Sequence, residues 1–468
     1  MKSNLCTLAC AALVGAASIS TASAQEAKEV FTWGADLRLR WEFLDNATTL
    51  NDDLPGAERS FARYRGRLWG QVAPSESFEA FARLMWEGRY YANPDEVVVP
   101  RLGNILDTTY SGALMFDNLY IKLNRVGDVP LTLKVGRQDI FIGNGWLVGD
   151  GTPLDGSRTF YFDAIRATYA ADAIGTTFDL IVLDNTHNTD RFPSTLNDTT
   201  EDQIEQDETG VILYARNKSL MKDTDLDGFF IYKSDDAAQP LLRVNNGFDP
   251  FSSPTRDGET YAIGARIDNK LTPNWTLRAE AAFEWGDRFD RDLEAFGFNG
   301  RGTYHFGDAL GNRIHLGYEY LSGDDPATTE IEAFDPLWGR WPQWSELYQP
   351  YTYALDSRTG EATNLQRINV GWGMKPHPTT EITLDYHALF ANENTLGGLP
   401  GFSQDGSFRG NLFTGWVKTK LDKHIAGHLV AEYFNPGDYY TDIHIPDKPT
   451  WYRDQSAWYL RAEVFLTY

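Results

Sequence analysis

Between Ser60 and Val72 the chain reads Ser-Phe-Ala-Arg-Tyr-Arg-Gly-Arg-Leu-Trp-Gly-Gln-Val, which sets Arg63, Arg65 and Arg67 two residues apart. A guanidinium stays charged at any working pH and meets a carboxylate through a planar fork of donors. A row of them is therefore a series of equivalent anion sites. A spacing of two is the period of a β-strand, which puts these arginines and Gln71 on one face. Ala62, Tyr64, Gly66, Leu68, Gly70 and Val72 take the other. The stretch from Trp33 to Phe43 repeats the pattern, with Trp33, Ala35, Leu37, Leu39, Trp41 and Phe43 opposed to Asp36, Arg38, Arg40 and Glu42. Two consecutive strands with one apolar and one charged face describe the wall of a membrane barrel with a cationic lumen.

The same alternation assigns further cations to the wet face, among them Arg83, Arg89, Lys122, Lys134, Arg166, Arg266, Arg278, Arg301, Arg313, Arg367 and Arg461. It also puts there the carboxylates Asp36, Glu42, Glu79, Glu280, Glu284, Glu319, Asp385, Glu432 and Glu463. Some of the arginines are expected to brace the wall through these carboxylates and the rest to face the path of a permeating anion.

Other chemistry is poorly supported. Asp223, Asp225, Asp227 and Gly228 match the opening of a calcium loop, but the twelfth position is Ser234 and not Glu, so a polar turn is the better reading. His424 and His428 are four apart, yet on a strand and without the Glu of a zinc-protease helix. No Ser sits in a G-x-S-x-G elbow. The expectation is a protein that is not an enzyme and uses no cofactor and no metal.

The elements that must position the arginines are strands. Residues 1–24, with Met1-Lys2, an apolar run from Leu5 to Ile19 and Ala22-Ser23-Ala24, read as a secretory signal peptide, and both cysteines, Cys6 and Cys10, lie within it. Beyond residue 24 no apolar run approaches the roughly 20 residues of a transmembrane helix, and mean hydropathy is -0.41. The 468 residues carry a net charge of -24, which argues against a nucleic-acid partner, and aromatic content is 14%.

Alternation gives about 18 strands, an even number within the bacterial barrel range. They fall near 31–44, 59–73, 77–90, 114–125, 130–138, 160–170, 175–184, 209–217, 225–234, 259–268, 274–287, 295–306, 312–321, 363–374, 379–390, 410–421, 424–435 and 456–468. Connections alternate between short turns and long loops, as in an outer-membrane barrel with both termini on the periplasmic side. Trp33 and Phe43, Trp275 and Trp285, and Trp458 and Tyr468 are ten residues apart on their strands. That interval spans about 25 Å of membrane normal and suits two aromatic belts. The expected fold is all-β, with residues 25–468 forming a single transmembrane antiparallel barrel in the bacterial outer membrane, embedded in its lipids.

Three blocks, Arg65-Gly66-Arg67-Leu68-Trp69-Gly70-Gln71, Val135-Gly136-Arg137-Gln138 and Phe162-Asp163-Ala164-Ile165-Arg166, together with the loop Asp335-Pro336-Leu337-Trp338-Gly339-Arg340, resemble the alginate export family of outer-membrane porins. The resemblance covers essentially the whole mature chain. It implies an 18-stranded barrel with an arginine-lined constriction through which a polyuronate passes, and by motif it points to Arg65, Arg67, Arg137 and Arg166 as pore residues. With the residues placed inward by alternation, the candidate pore lining is Arg38, Arg40, Arg65, Arg67, Arg137, Arg166, Arg367 and Arg461.

The expected function is passive export of an alginate-like anionic polysaccharide, with a periplasmic export scaffold as a further partner. Two alternatives stand beside it: a substrate-specific uptake porin for small anions, which the same arginines would serve, and a membrane-embedded hydrolase. The aromatic loop from Phe334 to Tyr353 is expected to stack on sugar rings, to fold over the pore, or to cap the rim.

Overall fold

A computed structural model describes residues 30–47, 50, 58–93, 96–99, 105–108, 110–150, 161–186, 192–197, 207–236, 257–339, 343–347, 363–395, 403–440 and 455–468. The proposed leader, residues 1–24, lies outside the described residues.

Eighteen strands form the wall. They are β1 (Phe31–Asp45), β2 (Glu58–Ser75), β3 (Phe78–Asn93), β4 (Met115–Leu123), β5 (Leu131–Gln138), β6 (Phe162–Ala171), β7 (Thr176–Asn185), β8 (Asp207–Asn217) and β9 (Thr224–Asp236). The second half comprises β10 (Gly258–Lys270), β11 (Trp275–Arg288), β12 (Arg291–His305), β13 (Arg313–Leu321), β14 (Leu365–His377), β15 (Thr380–Phe390), β16 (Phe408–Lys420), β17 (Ile425–Pro436) and β18 (Ala457–Thr467). Each pairs antiparallel with the next, and β18 closes on β1 with Leu39 opposite Val464. Closure leaves no unpaired edge, as a backbone in lipid requires. The two-residue strand Tyr110–Ser111 adds to the upper end of β3.

Turn chemistry fixes register at the short-turn end. Asp308 accepts backbone N–H groups from Leu310 and Asn312 at 3.1 and 3.0 Å, and Asp422 accepts those of His424 and Ile425 at 2.6 and 2.8 Å. The Asn312 N–H holds the Asp308 carboxyl below its ordinary range, and the His424 N–H does the same for Asp422. One connection at the opposite end departs from expectation. Alternation places 288–294 outside any strand, but β11 and β12 meet through two residues, Phe289 and Asp290, both at positive φ (53° and 59°). Two left-handed residues twist a hairpin the way its strands already twist, so both strands run on to the turn.

Alternation separates the two faces as the sequence implies. Leu68 and Leu384 are each 53% exposed on the outside, while Arg67, next to Leu68 in its strand, and Arg38 are buried within. Outer aromatics meet at two levels: Trp33 with Tyr468 and Trp275 with Tyr304 at the short-turn end, and Trp458 with Tyr433 and Trp285 with Tyr261 at the other. Amphipathic rings at both interfaces fix the depth of the barrel in lipid.

The lumen is not an open tube. The inner faces of β6 to β11 carry Phe162, Ile181, Leu183, Ile212, Ile231, Ala262 and Ala282, all buried. Residues of two long connections cover them: Ile140, Ile142, Leu147 and Val148 from one, Phe334, Leu337 and Trp338 from the other. Each large apolar side chain so removed from water contributes roughly 1.5–3 kcal/mol, enough to hold loops inside the barrel.

Arginine on the lipid face tests the placement of the wall. Leu68→Arg or Leu384→Arg should cost about 2–4 kcal/mol if near the midplane, measured by reversible unfolding in bilayers. A cost near zero for both would mean that these side chains do not face lipid.

Candidate functional site

Register alone assembles a charged patch on the inner face of four neighbouring strands, β18, β1, β2 and β3. One row across the ladder holds Glu463, Arg40, Arg63 and Arg89; the next holds Arg38, Arg65 and Glu87; a third pairs Asp36 with Arg67; and above them Arg461 lies opposite Glu42. Seven arginines thus share this surface with four carboxylates. Like charges directly opposite each other across a ladder repel, so the patch depends on the carboxylates between them.

The pairs are short and mostly buried. Arg38 donates to Glu87 at 2.9 Å, Arg40 to Glu463 at 2.7 Å, and the Arg67 Nε to both Asp36 oxygens at 2.9 and 2.8 Å. Arg63 approaches Glu42 at 3.4 Å. Arg65 differs from all of these. It is 4% exposed, its Nε has no hydrogen-bond partner, and among the described residues the guanidinium makes neither a hydrogen bond nor an ion pair. Its strand neighbours Arg63 and Arg67 already engage Glu42 and Asp36, and the opposite Glu87 is bonded to Arg38. A guanidinium kept out of bulk water without a partner carries a desolvation cost that a bound anion would offset.

The other candidates lie elsewhere on the wall. Arg166 forms a fork to Asp179 at 2.9 Å through both Nε and Nη2 on the inner faces of β6 and β7. Arg367 bonds Glu319 at 2.9 Å and lies 4.6 Å from the Trp344 ring centroid. Arg461 meets Glu346 of the long loop after β13 at 3.2 Å.

Arg137 is not in the lumen. It alternates with Lys134, Gly136 and Gln138, and so shares the outer face with Val135 and, across the ladder, with Leu119. Its guanidinium forms a fork to Asp163 at 2.9 and 2.8 Å and donates to the carbonyls of Phe116 and Pro193. The ladder between β4 and β5 stops at the Leu119–Arg137 pair, and the side chain fills the gap above it. The motif resemblance pointed Arg137 at the pore, whereas its strand parity points it into the wall.

The described part of the aromatic loop, residues 334–339 and 343–347, is found inside the barrel and not on its rim. Trp338 is fully buried, with its indole N–H donating to Glu208 at 3.1 Å and its backbone N–H to Leu147 O at 2.9 Å. Two inner-face glycines make the seats: a Cβ at Gly210 would lie 2.4 Å from the Trp338 ring, and one at Gly297 would lie 2.5 Å from Phe334. Arg288 holds Asp335 at 2.8 Å. Further along, Glu432 of β17 accepts from Ser345 Oγ, Glu346 N and Leu347 N at 2.6, 2.9 and 3.0 Å. The loop therefore lies against β8, β12 and β17 as a strap that narrows the lumen beside the arginine patch. Trp341, Tyr348, Tyr351 and Tyr353 lie outside the described residues.

Other residues singled out by the sequence are engaged in the wall. Asp227 binds Arg266 at 2.9 Å and Tyr214, and the His428 ring lies 3.5 Å from Glu463.

The seats of the strap are testable. Gly210→Val must displace the Trp338 ring, because the added carbon would sit well inside contact distance. The variant should keep a heat-modifiable barrel yet show a larger single-channel conductance. Unchanged conductance in a folded Gly210→Val barrel would mean that the strap does not limit the path.

The chain matches the family model for alginate export over residues 29–445. Among solved structures, it aligns with OccK11 (OpdR) of Pseudomonas aeruginosa at a TM-score of 0.52 and 11% identity, over 93% of this chain and 95% of that one. OccK5 (OpdH) of the same organism aligns at 0.52 and 12%, over 93% and 98%. OpdK of Pseudomonas aeruginosa, solved with vanillate, aligns at 0.52 and 11%, again over 93% and 98%. Identities this low show a shared fold. A search of curated protein sequences gave no significant match. The closed barrel of outer-membrane porins and the family match fit a bacterial outer-membrane protein. Because the family match extends over most of its length, the chain belongs to the alginate export family.

Proposed function

We propose that this barrel is a passive channel that carries an anionic polysaccharide, an alginate-like polyuronate, across the outer membrane along the arginine wall of β18, β1, β2 and β3. The observation that carries the reading is the surplus of cations there, seven arginines to four carboxylates, with Arg65 bound to none of them. Arg38, Arg40, Arg65, Arg67 and Arg461 line the wall, and Arg166 and Arg367 extend cationic contact to other strands.

A polymer touching several such sites at once is held by the sum of weak contacts, and each contact breaks easily enough for the chain to advance. The protein's net charge of -24 does not oppose this. The Debye length is about 8 Å at physiological salt, so distant carboxylates are screened from the wall and local charge sets selectivity.

One observation favours a second reading, uptake of small anions. The strap fills one side of the lumen, and the structural neighbour OpdK was solved with vanillate. A passive pore has no direction of its own. Direction would come from which side supplies the anion, and for export that supply would be a periplasmic scaffold.

Arg65 gives the sharpest test, because replacing it leaves no carboxylate without its partner. In planar bilayers the wild-type channel should be anion-selective and blocked by oligouronates. Arg65→Gln should weaken the block roughly tenfold, the loss of one charged hydrogen bond, at little cost in stability. A wild-type channel that selects cations and ignores oligouronates would sink the proposal.

A further inference from the structure

Below the arginine wall, towards the short-turn end, the inner face changes character. Trp69 of β2, Phe81 of β3 and Tyr120 of β4 form a stacked row with centroids 6.0 and 5.2 Å apart and ring planes within 22° and 19° of parallel. All three are half-buried, whereas Phe162, on the inner face at the other end, is fully covered by loop residues. Glycines flank the row at both ends. A Cβ on Gly34 would lie 2.5 Å from the Trp69 indole, and Gly136, opposite Tyr120, has φ +120° and would drive a Cβ into Leu119 O.

A single cation completes the row. The Lys134 ammonium lies 3.8 Å from the Tyr120 centroid and, among the described residues, forms no ion pair. The carboxylate next to it, Glu79, is engaged by Lys122 at 3.7 Å and by the Tyr120 hydroxyl at 3.2 Å. Nearby Arg83 is held by Asp117 and Asp139. Lys134 is thus the local charge left over for something in the lumen.

We propose that Trp69, Phe81, Tyr120 and Lys134 form a sugar-binding ribbon at the periplasmic mouth, on which uronic-acid residues of a polysaccharide stack before reaching the arginine wall. The half-buried upper edges of the stacked rings offer a pyranose ring an apolar contact with its C–H surface without demanding one sugar sequence. The ammonium supplies the carboxylate contact that distinguishes a uronate from a neutral hexose. The short-turn end is the periplasmic end of outer-membrane barrels, so the ribbon lies where an exported chain enters. The inference deepens the polyuronate reading and rests on it for direction, but its test does not depend on anion selectivity.

The test uses planar bilayers with hexaoses added on the short-turn side: neutral maltohexaose and a hexamannuronate. Trp69→Leu and Phe81→Leu keep apolar bulk and should raise the half-blocking concentration of both sugars by about five- to tenfold, with the salt reversal potential unchanged. Lys134→Met should weaken the hexamannuronate block alone. Tyr120→Phe, which keeps the ring, should block like wild type. If the two leucine variants block as wild type does, or maltohexaose fails to block the wild-type barrel, the ribbon is overturned. Failure of the arginine reading would appear separately, as a cation-selective reversal potential.

Discussion

A backbone that crosses lipid must satisfy every N–H and C=O from within the protein, and in this chain the closure of β18 on β1 meets that demand. The rest of the structure depends on that closure. Strands with a period of two can turn only alternate residues inwards, so most charged side chains of the spanning segments, though not Arg137 and Asp163, are crowded into one lumen. With the crowding come both the bracing pairs and the cationic surplus.

The surplus is tolerated because carboxylates interleaved with the arginines neutralise most of their charge. Arg40, Arg63 and Arg89 lie directly across from one another, as do Arg38 and Arg65, an arrangement that would be destabilising on an isolated sheet. Glu463, Glu42, Glu87 and Asp36 interleave with them and hold the guanidinium planes against the wall. Removing one such carboxylate would leave a charge uncompensated out of water, typically a loss of about 3–5 kcal/mol when both partners are fully buried and less where lumen water reaches them. The wall is therefore a scaffold, and on the proposed reading its unpaired charge is also the binding surface. The opposite side of the lumen solves a different problem, with apolar strands covered by a strap whose aromatic side chains fit over glycines.

Much of this was legible in the sequence, because strand alternation is a local property. The eighteen strands, the inward Arg38, Arg40, Arg65 and Arg67, and the outer Leu68 can all be read from neighbours two residues apart. The Phe289–Asp290 turn was missed because Phe is an unusual residue at positive φ, and nothing local announced a tight hairpin there. Arg137 shows the limit of reasoning from motif: parity already placed it on the outer face, and the break in the β4–β5 ladder that it fills is a pairing between distant segments. The strap was unreadable for the same reason. Gly210 and Gly297 look like ordinary strand glycines until Trp338 and Phe334 arrive from the loop after β13. That Arg65 has no partner among the described residues likewise depends on which carboxylate its neighbours took first.

The central claim is that the arginine wall holds anions, with Arg65 as a position that no described residue satisfies. Anomalous diffraction from crystals of the barrel soaked in bromide tests it most directly. A bromide peak within contact distance of the Arg65 guanidinium, absent in Arg65→Gln crystals, is the predicted result. A lumen without bromide at Arg65, in crystals where bromide occupies other cationic surfaces of the same molecule, would contradict it.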